Sequence, residues 1–351
     1  MARPTTLPLT APASLPVQQP LPIRRRATGL PCLSVVVVNY RQWDKTSDLV
    51  RQVMASTAGR HGDVEVVIVD NYSPAHAATR RLRRQAGVSI RRWGSNRGFA
   101  RAVNEGCRLS QGDWFLLLNP DTTLSEGFLD GVLDLTDHLT ATNPRAGIVG
   151  FHLRDADGSQ QLSSGPYPTL LSSLWRLILP RRRRKYQTPW STERRQVPWV
   201  TGCCLLVRRD CLRQLSGLDE RFFLYYEDVD LCLRAKRQGW SVWYEPNLAV
   251  IHHNPLHGRR VPAVLRMVTR HSLLTYAQKH WPVWQFRLLS HIVRCEARAR
   301  RLAAWWRGDA PHARAFAELS KMTAELERGD QACAEQRILR AIRSIDVRVG
   351  V

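Results

Sequence analysis

The sequence has no long apolar run and none of the common glycine-rich phosphate loops. None of its apolar runs reaches about 18 residues, so no segment is expected to span a membrane as a helix. No G-x-G-x-x-G follows the first β-branched segment, and no G-x-x-x-x-G-K-[ST] occurs in the sequence. The fingerprints of dinucleotide-binding and P-loop proteins are therefore missing. Any bound phosphate is expected to be held by a cation and by separate side chains.

Cysteines in metal or redox spacing are also missing, and acidic residues are few. The eight cysteines form no paired C-x-x-C and no zinc-type spacing, and Cys203 and Cys204 fall in an apolar strand where buried thiols are usual. A reducing cytosol is expected. The 30 acidic residues face 52 Lys and Arg, which leaves a net charge of +22. That charge favours anionic partners, among them membrane lipid, polyprenyl diphosphates and nucleic acid.

Between residues 34 and 151 strand and helix patterns alternate. Apolar, often β-branched runs of four to six residues are separated by helical patterns of twelve to sixteen residues, which predicts a parallel sheet with right-handed crossovers. The predicted strands are residues 34–38, 64–69, 88–92, 114–118 and 148–151, and the predicted helices are residues 44–58, 74–86, 98–109 and 124–139.

Polar residues collect where these strands end. Asn39, Asp70, Asn96 and Asp121 all fall at or just after a strand end, and in open α/β sheets ligands bind at that edge. Asp121 follows Pro120, which cannot continue a central strand. An aspartate in that place suits a hard cation that also holds a diphosphate. The alternative is an aspartate that only caps the following turn.

Two adjacent acids, Glu227 and Asp228, follow the apolar run FFLYY at residues 222–226. Desolvation raises the pKa of a carboxylate and makes it a better base. The alternative is that both acids merely open a helix, where negative charge is favourable. A second polar pair, His252 and His253, ends an apolar strand pattern, and alternation predicts that only one of the two faces a site.

Eight short motifs follow one another in order along residues 33–253. They are SVVVVNY (34–40), VVIVDN (66–71), NRGFA (96–100), LLNPD (117–121), TGCC (201–204), GLDERFF (217–223), EDVDLCLR (227–234) and AVIHH (249–253). In the order and spacing of these motifs the chain resembles the family-2 glycosyltransferases with the GT-A nucleotide-sugar fold, in the bacterial rhamnosyltransferase-like branch.

The resemblance implies an inverting transfer of a sugar, with rhamnose as a family-level choice, from a dTDP- or UDP-sugar to a hydroxyl of a glycan or lipid-linked acceptor. Asp228 would be the general base with Glu227 as its neighbour, and Asp121 and His252 would bind Mn²⁺ or Mg²⁺. Asp70 would accept a hydrogen bond from the imide of the nucleobase. The implied donor-binding residues are Asn39, Asp70, Asn96, Gly98, Asn104 and Asn119, and the implied acceptor residues are Thr201, Gly202 and Tyr226.

Two departures from the family pattern matter. Tyr72 replaces the usual small residue after Asp70 and Asn71, which would tighten the nucleoside pocket, and residues 254–256 replace a glycine-serine segment. The expected organisation is a Pro-rich disordered tail (1–31), a GT-A domain (32–258, with halves 32–150 and 151–258) and a helical extension (259–351). In the extension, helices are predicted at residues 264–279, 283–306, 310–327 and 331–345.

A hydrophobic-then-basic segment, residues 170–185, suggests an interfacial anchor on anionic lipid, although a solvated loop is the alternative. The expected location is cytoplasmic, peripheral on the inner face of the plasma membrane. A basic nucleic-acid-binding protein and a catalytically dead scaffold are the competing interpretations. The sequence contains no zinc finger, helix-turn-helix or ribonucleoprotein motif, so no nucleic-acid partner is expected. The presence of Asp121, Asp228 and His252 argues against a catalytically dead scaffold.

Overall fold

A computed structural model describes residues 31–178, 192–253 and 262–346. The expected tail (apart from residue 31), the basic run at 181–185 and the departure at 254–256 lie outside these residues. None of the helices in the described ranges is long and apolar enough to cross a membrane.

Twelve strands and twelve helices occupy the described ranges. The strands are β1 (Leu33–Asn39), β2 (Val64–Asp70), β3 (Val88–Arg92), β4 (Trp114–Leu118), β5 (Thr122–Leu124), β6 (Ala146–Arg154), β7 (Gln160–Gln161), β8 (Ser164–Gly165), β9 (Arg195–Gln196), β10 (Trp199–Val200), β11 (Cys204–Arg208) and β12 (Ser241–His252). The helices are α1 (Trp43–Ala55), α2 (Thr57–His61), α3 (Ala77–Arg83), α4 (Phe99–Leu109), α5 (Phe128–Thr142), α6 (Leu170–Ile178), α7 (Arg209–Gln214), α8 (Glu227–Arg237), α9 (Ala263–His280), α10 (Val283–Trp306), α11 (Ala310–Glu327) and α12 (Gln331–Asp346).

The central sheet is mostly parallel, as expected. Its order is β3-β2-β1-β4-β11-β6-β12-β5, and β1, β2, β3 and β4 pair in parallel, as do β6 and β12. Strand β11 runs antiparallel between β4 and β6, and β5 runs antiparallel to β12. The parallel half therefore comes from residues 33–118, and later strands complete the sheet.

Two predicted helices are corrected. The helix predicted over 44–58 divides at Ser56, whose hydroxyl accepts a hydrogen bond from the backbone N–H of Gly59 and caps a new short helix. The helix predicted over 124–139 begins later, at Phe128, because residues 122–124 pair with the end of β12 as strand β5.

The sheet is buried on both faces. In β1, Val35 and Val37 join the apolar cluster on one side and Val36 joins the cluster on the other. Strand β4 alternates in the same way, with Leu116 in the first cluster and Leu117 in the second. Burial on both faces explains why these strands read as continuous apolar runs.

The last four helices, α9 to α12, build a third apolar cluster. That cluster includes Phe223, and Leu224 and Tyr226 pack against it, so it extends into the segment just before α8. The hydroxyl of Ser272 on α9 donates to the carbonyl of Leu224 at 2.8 Å. The C-terminal helices therefore contact the stretch that precedes Glu227 and Asp228.

Candidate functional site

Asn39 and Asp70 lie side by side where β1 and β2 end. They are paired in the register of the two strands, and the Asn39 amide donates to Asp70 Oδ1 at 2.9 Å. Arg92, at the end of β3, donates to the other oxygen of Asp70 at 2.8 Å. Asp70 is fully buried, so Arg92 and Asn39 cover both of its oxygens.

Asn71 connects this pair to the loop that follows β3. Its amide donates to the side-chain oxygen of Asn96 at 2.9 Å and to the carbonyl of Gly98 at 3.2 Å, and its own oxygen accepts from the N–H of Arg97 at 2.8 Å. Asn71 stands at the end of the VVIVDN motif, but no role of its own was predicted for it from the sequence.

Gly98 makes a close contact between this loop and the segment before α8. Its φ is +93°, and a Cβ atom there would lie 2.9 Å from the carbonyl oxygen of Phe223. The N–H of Phe99 donates to that same oxygen at 2.7 Å. A side chain at position 98 would therefore clash and push the two loops apart.

Asn104 and Asn119 make backbone contacts. Asn104, on α4, donates to the carbonyl of Leu218 at 2.9 Å and accepts from its N–H at 2.8 Å, which holds the 217–220 loop. The backbone N–H of Asn119 donates to the carbonyl of Cys203 at 3.0 Å. The end of β4 is thus attached to the segment that leads into β11.

Asp121, three residues beyond the end of β4, faces His252, the last residue of β12. Asp121 Oδ1 lies 3.5 Å from His252 Nε2, and the two side chains are only 11% and 10% exposed. The other ring nitrogen of His252, Nδ1, lies 3.0 Å from Nε2 and 3.1 Å from Oε1 of the Gln161 side chain. His253 points elsewhere, with its Nε2 2.8 Å from the hydroxyl of Thr123, as the alternation predicts.

This pair suits a divalent cation. When the Oε1 atom of Gln161 accepts a hydrogen bond from Nδ1–H, Nε2 presents its lone pair toward the carboxylate of Asp121. A cation between the two side chains would then accept electron pairs from Nε2 and from the carboxylate oxygen. Burial acts to raise the pKa of Asp121, but the hydrogen bond and charge of His252, together with Lys45, outweigh it and lower that pKa. Within the described ranges no group of three His, Cys, Asp or Glu could hold a metal by itself.

A strained turn places the two adjacent acids. Tyr225 and Tyr226 both have positive φ, +73° and +69°, a conformation that bulky residues rarely adopt. Helix α8 begins at the next residue, Glu227. Such strain persists only where surrounding contacts fix it, and it is concentrated at functional sites. The rings of Tyr226 and of Tyr276 on α9, 5.7 Å apart, supply one such contact.

Asp228 is the more accessible acid of the pair and accepts backbone hydrogen bonds. The N–H of Gly202 donates to its Oδ2 at 2.9 Å, and the N–H of Val229 donates to its Oδ1 at 2.8 Å. Burial raises the pKa of Asp228, while these N–H groups and the hydroxyl of Thr201 act to lower it. Thr201 and Gly202, expected near the acceptor, therefore lie against Asp228.

Glu227 is buried, and its Oε2 has no hydrogen-bond partner among the described residues. Burial, and then the charge of Asp228, raise the pKa of Glu227 well above its usual range. At Asp228 the N–H groups of Gly202 and Val229 offset part of the effect of burial, so the upward shift of the pKa is larger at Glu227, and a proton shared by the pair is favoured on Glu227.

Asp230, two residues beyond Asp228, is fully buried and has three charged or polar partners. It lies in the EDVDLCLR motif, but the sequence did not indicate these contacts. It contacts Arg234 on its own helix and both Lys279 and His280 at the end of α9, each at 2.7 Å. Burial opposes ionisation, but these partners lower the pKa of Asp230. The charged carboxylate thus joins α8 to the C-terminal helices.

Comparison with known proteins gives a consistent result. A family model described as glycosyltransferase like family 2 matches residues 31–279. An N-acetylglucosaminyl-diphospho-decaprenol L-rhamnosyltransferase of Mycobacterium tuberculosis is 32% identical over 280 residues, which cover 72% of this chain and 86% of the relative. A low-salt glycan biosynthesis hexosyltransferase of Haloferax volcanii is 25% identical over 240 residues, 66% of this chain and 71% of the relative.

Among solved structures, GalNAc-T7 with UDP, GalNAc and Mn²⁺ aligns with a TM-score of 0.51 and 16% identity. The alignment covers 72% of this chain and 52% of that one. At that identity it supports the fold alone, and it confirms the GT-A expectation.

Proposed function

The chain belongs to the family-2 glycosyltransferases, and from that membership we propose a metal-assisted, inverting transfer of a sugar to a hydroxyl. We favour rhamnose as the sugar, dTDP or UDP as the carrier and a lipid-linked glycan as the acceptor. The support is the similarity to the M. tuberculosis enzyme, whose name gives L-rhamnose as the transferred sugar and N-acetylglucosaminyl-diphospho-decaprenol as the acceptor. The matched region covers 86% of that enzyme's length.

The observation that carries the mechanism is the unequal pair Glu227 and Asp228. An inverting transfer needs a base that takes the proton of the acceptor hydroxyl as that oxygen attacks the sugar carbon. Asp228 is half-buried, has a raised pKa and is oriented by the N–H groups of Gly202 and Val229. Protonated Glu227 keeps a second negative charge away from this oxygen, so Asp228 serves as the base.

Asp121 and His252 would hold the cation, Mn²⁺ or Mg²⁺. The bound cation supplies charge neutralisation for the departing nucleoside diphosphate. An imidazole ligand suits Mn²⁺ somewhat better than Mg²⁺. Gln161 orients the His252 ring toward Asp121 by its contact with Nδ1. Because the two side chains offer only two ligands, the donor's diphosphate would complete the coordination.

The donor would lie along the carboxyl ends of β1 to β4, against Asn39, Asp70, Asn96, Gly98 and Asn119. A direct contact between Asp70 and a nucleobase requires Arg92 or Asn39 to move, because these two side chains cover the two oxygens of the buried Asp70. Asn104 would act at a distance by holding the 217–220 loop.

The acceptor would approach Asp228 past Thr201, Gly202 and Tyr226. A lipid-linked acceptor requires the enzyme to work at a bilayer, so we propose a peripheral position on the inner face of the plasma membrane, with anionic lipid and no nucleic acid as the partner. Residues 32–258 would form the catalytic domain and residues 259–351 a helical extension that supports α8. The basic part of segment 170–185, which lies outside the described residues, stays a prediction as an anchor.

A donor panel tests the proposal. The purified protein is incubated with dTDP- and UDP-sugars, Mn²⁺ and a diphospho-polyprenol-linked acceptor sugar, and release of the nucleoside diphosphate is measured. We expect release that depends on the acceptor and is greatest with a dTDP-sugar. A chain that binds donor but releases no diphosphate with any donor and acceptor would be a catalytically dead scaffold.

A further inference from the structure

Helix α10 exposes large apolar side chains along one face. Trp284, Leu288, Leu302 and Trp305 are 62%, 41%, 57% and 68% exposed, whereas Phe286, Leu289 and Val293 on the opposite face are buried in the third cluster. With 3.6 residues per turn the exposed positions form a single line. We call this line the outer stripe; it consists of Trp284, Leu288, His291, Cys295, Arg298, Leu302 and Trp305.

The charges on this helix are almost all positive. Arg287, Arg298 and Arg301 are exposed on or beside the outer stripe. The single acid of α10, Glu296, is turned inward and contacts Arg270 at 3.0 Å and Arg300 at 2.8 Å. A face with Trp and Leu in line, flanked by Arg and without an exposed acid, matches the interfacial region of an anionic bilayer. There the apolar groups enter the acyl boundary and the guanidinium groups reach lipid phosphates.

The same charges disfavour self-association. In a two-fold dimer built on this face, each outer stripe would meet its own copy. Parallel pairing would bring Arg298 against Arg298, and antiparallel pairing would bring Arg287 against Arg301. The stripe offers no acid to compensate for either contact. Lipid phosphates, in contrast, would pair with every one of these arginines.

The outer stripe begins beside the catalytic helix. An apolar groove of about 490 Å³ opens next to the start of α10, and α8 borders it with Leu233 and Arg237. Leu171 on α6 also lines the groove and is 66% exposed. One turn further along α6, Trp175 is 55% exposed. We infer that the outer stripe of α10, continued by Leu171 and Trp175, docks the protein on an anionic phospholipid surface.

The experiment uses the full chain and vesicles of phosphatidylglycerol mixed with phosphatidylcholine. A variant with Trp284→Ser, Leu288→Ser, Leu302→Ser and Trp305→Ser changes only exposed positions. We expect its vesicle affinity to fall about tenfold or more, while Leu109→Ser, at a 38% exposed apolar site on α4, binds as the wild type does. An equal loss in Leu109→Ser, or no loss in the stripe variant, would overturn the inference.

The charge contribution has its own matched control. Replacement of Arg287, Arg298 and Arg301 by Gln should weaken binding to anionic vesicles and reduce its salt dependence. The control is a triple Gln variant at Arg80, Arg83 and Arg84, which removes the same charge from exposed positions in and next to α3. If both triple variants lose the same affinity, binding follows net charge and not this face.

Cys295 lies in the middle of the outer stripe and can be labelled to detect docking, because it is exposed. Cys333 on α12 is the other exposed cysteine and serves as the control site. An environment-sensitive fluorophore on Cys295 in a Cys333→Ser background should shift to shorter wavelength with anionic vesicles. The same label on Cys333 in a Cys295→Ser background should not shift. A shift only at Cys333 would refute the docking face.

The molecular mass in solution tests the competing occupant. A wild-type dimer that becomes monomeric in the stripe variant, with unchanged vesicle binding, would make the stripe an interface between two copies and overturn the inference. None of these measurements needs sugar transfer. Failure of the proposed activity and failure of the docking face are therefore distinguishable.

Discussion

The ammonium group of Lys279 lies 2.7 Å from Asp230 and 2.6 Å from Asp219, so one side chain at the end of α9 joins α8 to the loop before it. Asp230 is fully buried and is separated from Asp228 by a single residue. The position of the proposed base is therefore coupled to the C-terminal helices.

Replacement of Lys279 should disturb this coupling. Lys279→Met removes one of the three basic partners of a buried carboxylate, and the free energy of unfolding should fall by about 3 kcal/mol. Turnover should fall more than the affinity for the donor, because α8 carries the base and the donor residues lie elsewhere. Lys321→Met, which breaks an exposed pair with Glu318, is the control and should change neither quantity appreciably. Equal effects of the two variants would contradict the coupling.

The two adjacent acids should respond differently to substitution. Asp228→Asn removes the base and should lower turnover by about 10²-fold or more, with donor affinity nearly unchanged. Glu227→Gln should cost less, because we expect Glu227 to be protonated already. Steady-state kinetics and nucleotide titrations measure both. If Glu227→Gln lowers turnover more and Asp228→Asn stays active, the base is Glu227 and not Asp228.

The pH profile should show the raised pKa of Asp228. Activity requires the ionised carboxylate, so kcat/KM should rise with pH on the acid limb. Since burial raises the pKa of Asp228, the midpoint of that limb should lie above the ordinary aspartate value of about 3.9. Glu227→Gln removes a group whose charge would compete with that of Asp228. Because we expect Glu227 to be protonated, the substitution should leave the midpoint nearly unchanged. A clear downward shift would show that Glu227 is charged while Asp228 titrates, since the loss of a neighbouring negative charge lowers the pKa of Asp228.

Divalent cation removal should stop transfer. EDTA should abolish turnover, and Mn²⁺ or Mg²⁺ should restore it. Asp121→Ala and His252→Ala should each weaken nucleotide binding in the presence of Mn²⁺, measured by calorimetry. His253→Ala is the matched control, because its ring contacts Thr123 and not Asp121. Full activity of the Asp121→Ala variant in the presence of EDTA would show that transfer needs neither the cation nor Asp121.

His271, buried in α9, should make stability depend on pH. Burial lowers the pKa of His271 to about 4, and neither ring nitrogen has a hydrogen-bond partner among the described residues. The unfolded chain binds a proton below about pH 6.5 that the folded state does not, so stability is lost as pH falls from there toward 4. The full loss is about 3 kcal/mol for this shift.

Urea unfolding of wild type and His271→Phe between pH 4 and 7 measures this loss. The variant should lack this part of the pH dependence, whereas His138→Gln, at an exposed position on α5, should keep it. Parallel pH curves for wild type and His271→Phe would contradict the prediction.

Local patterns in the sequence predicted the parallel half of the fold and the chain positions of most candidate site residues. Strands buried on both faces produce continuous apolar runs, so residues 33–118 could be read directly, and Asn39, Asp70 and Asp121 follow from where those runs end. The C-terminal helices also follow from local periodicity, and the predicted 283–306 and 310–327 match α10 and α11.

Only the tertiary structure decided which side chains meet. Asn71 and Asn96 are 25 residues apart, His252 and Gln161 are 91 apart, and Asp230 and His280 are 50 apart. The sequence also could not predict that β11 lies antiparallel between β4 and β6, because an apolar run does not indicate the direction in which the strand pairs. Propensity and periodicity act over a few residues, whereas these contacts depend on how distant elements pack, and that packing places Asp228 against Gly202.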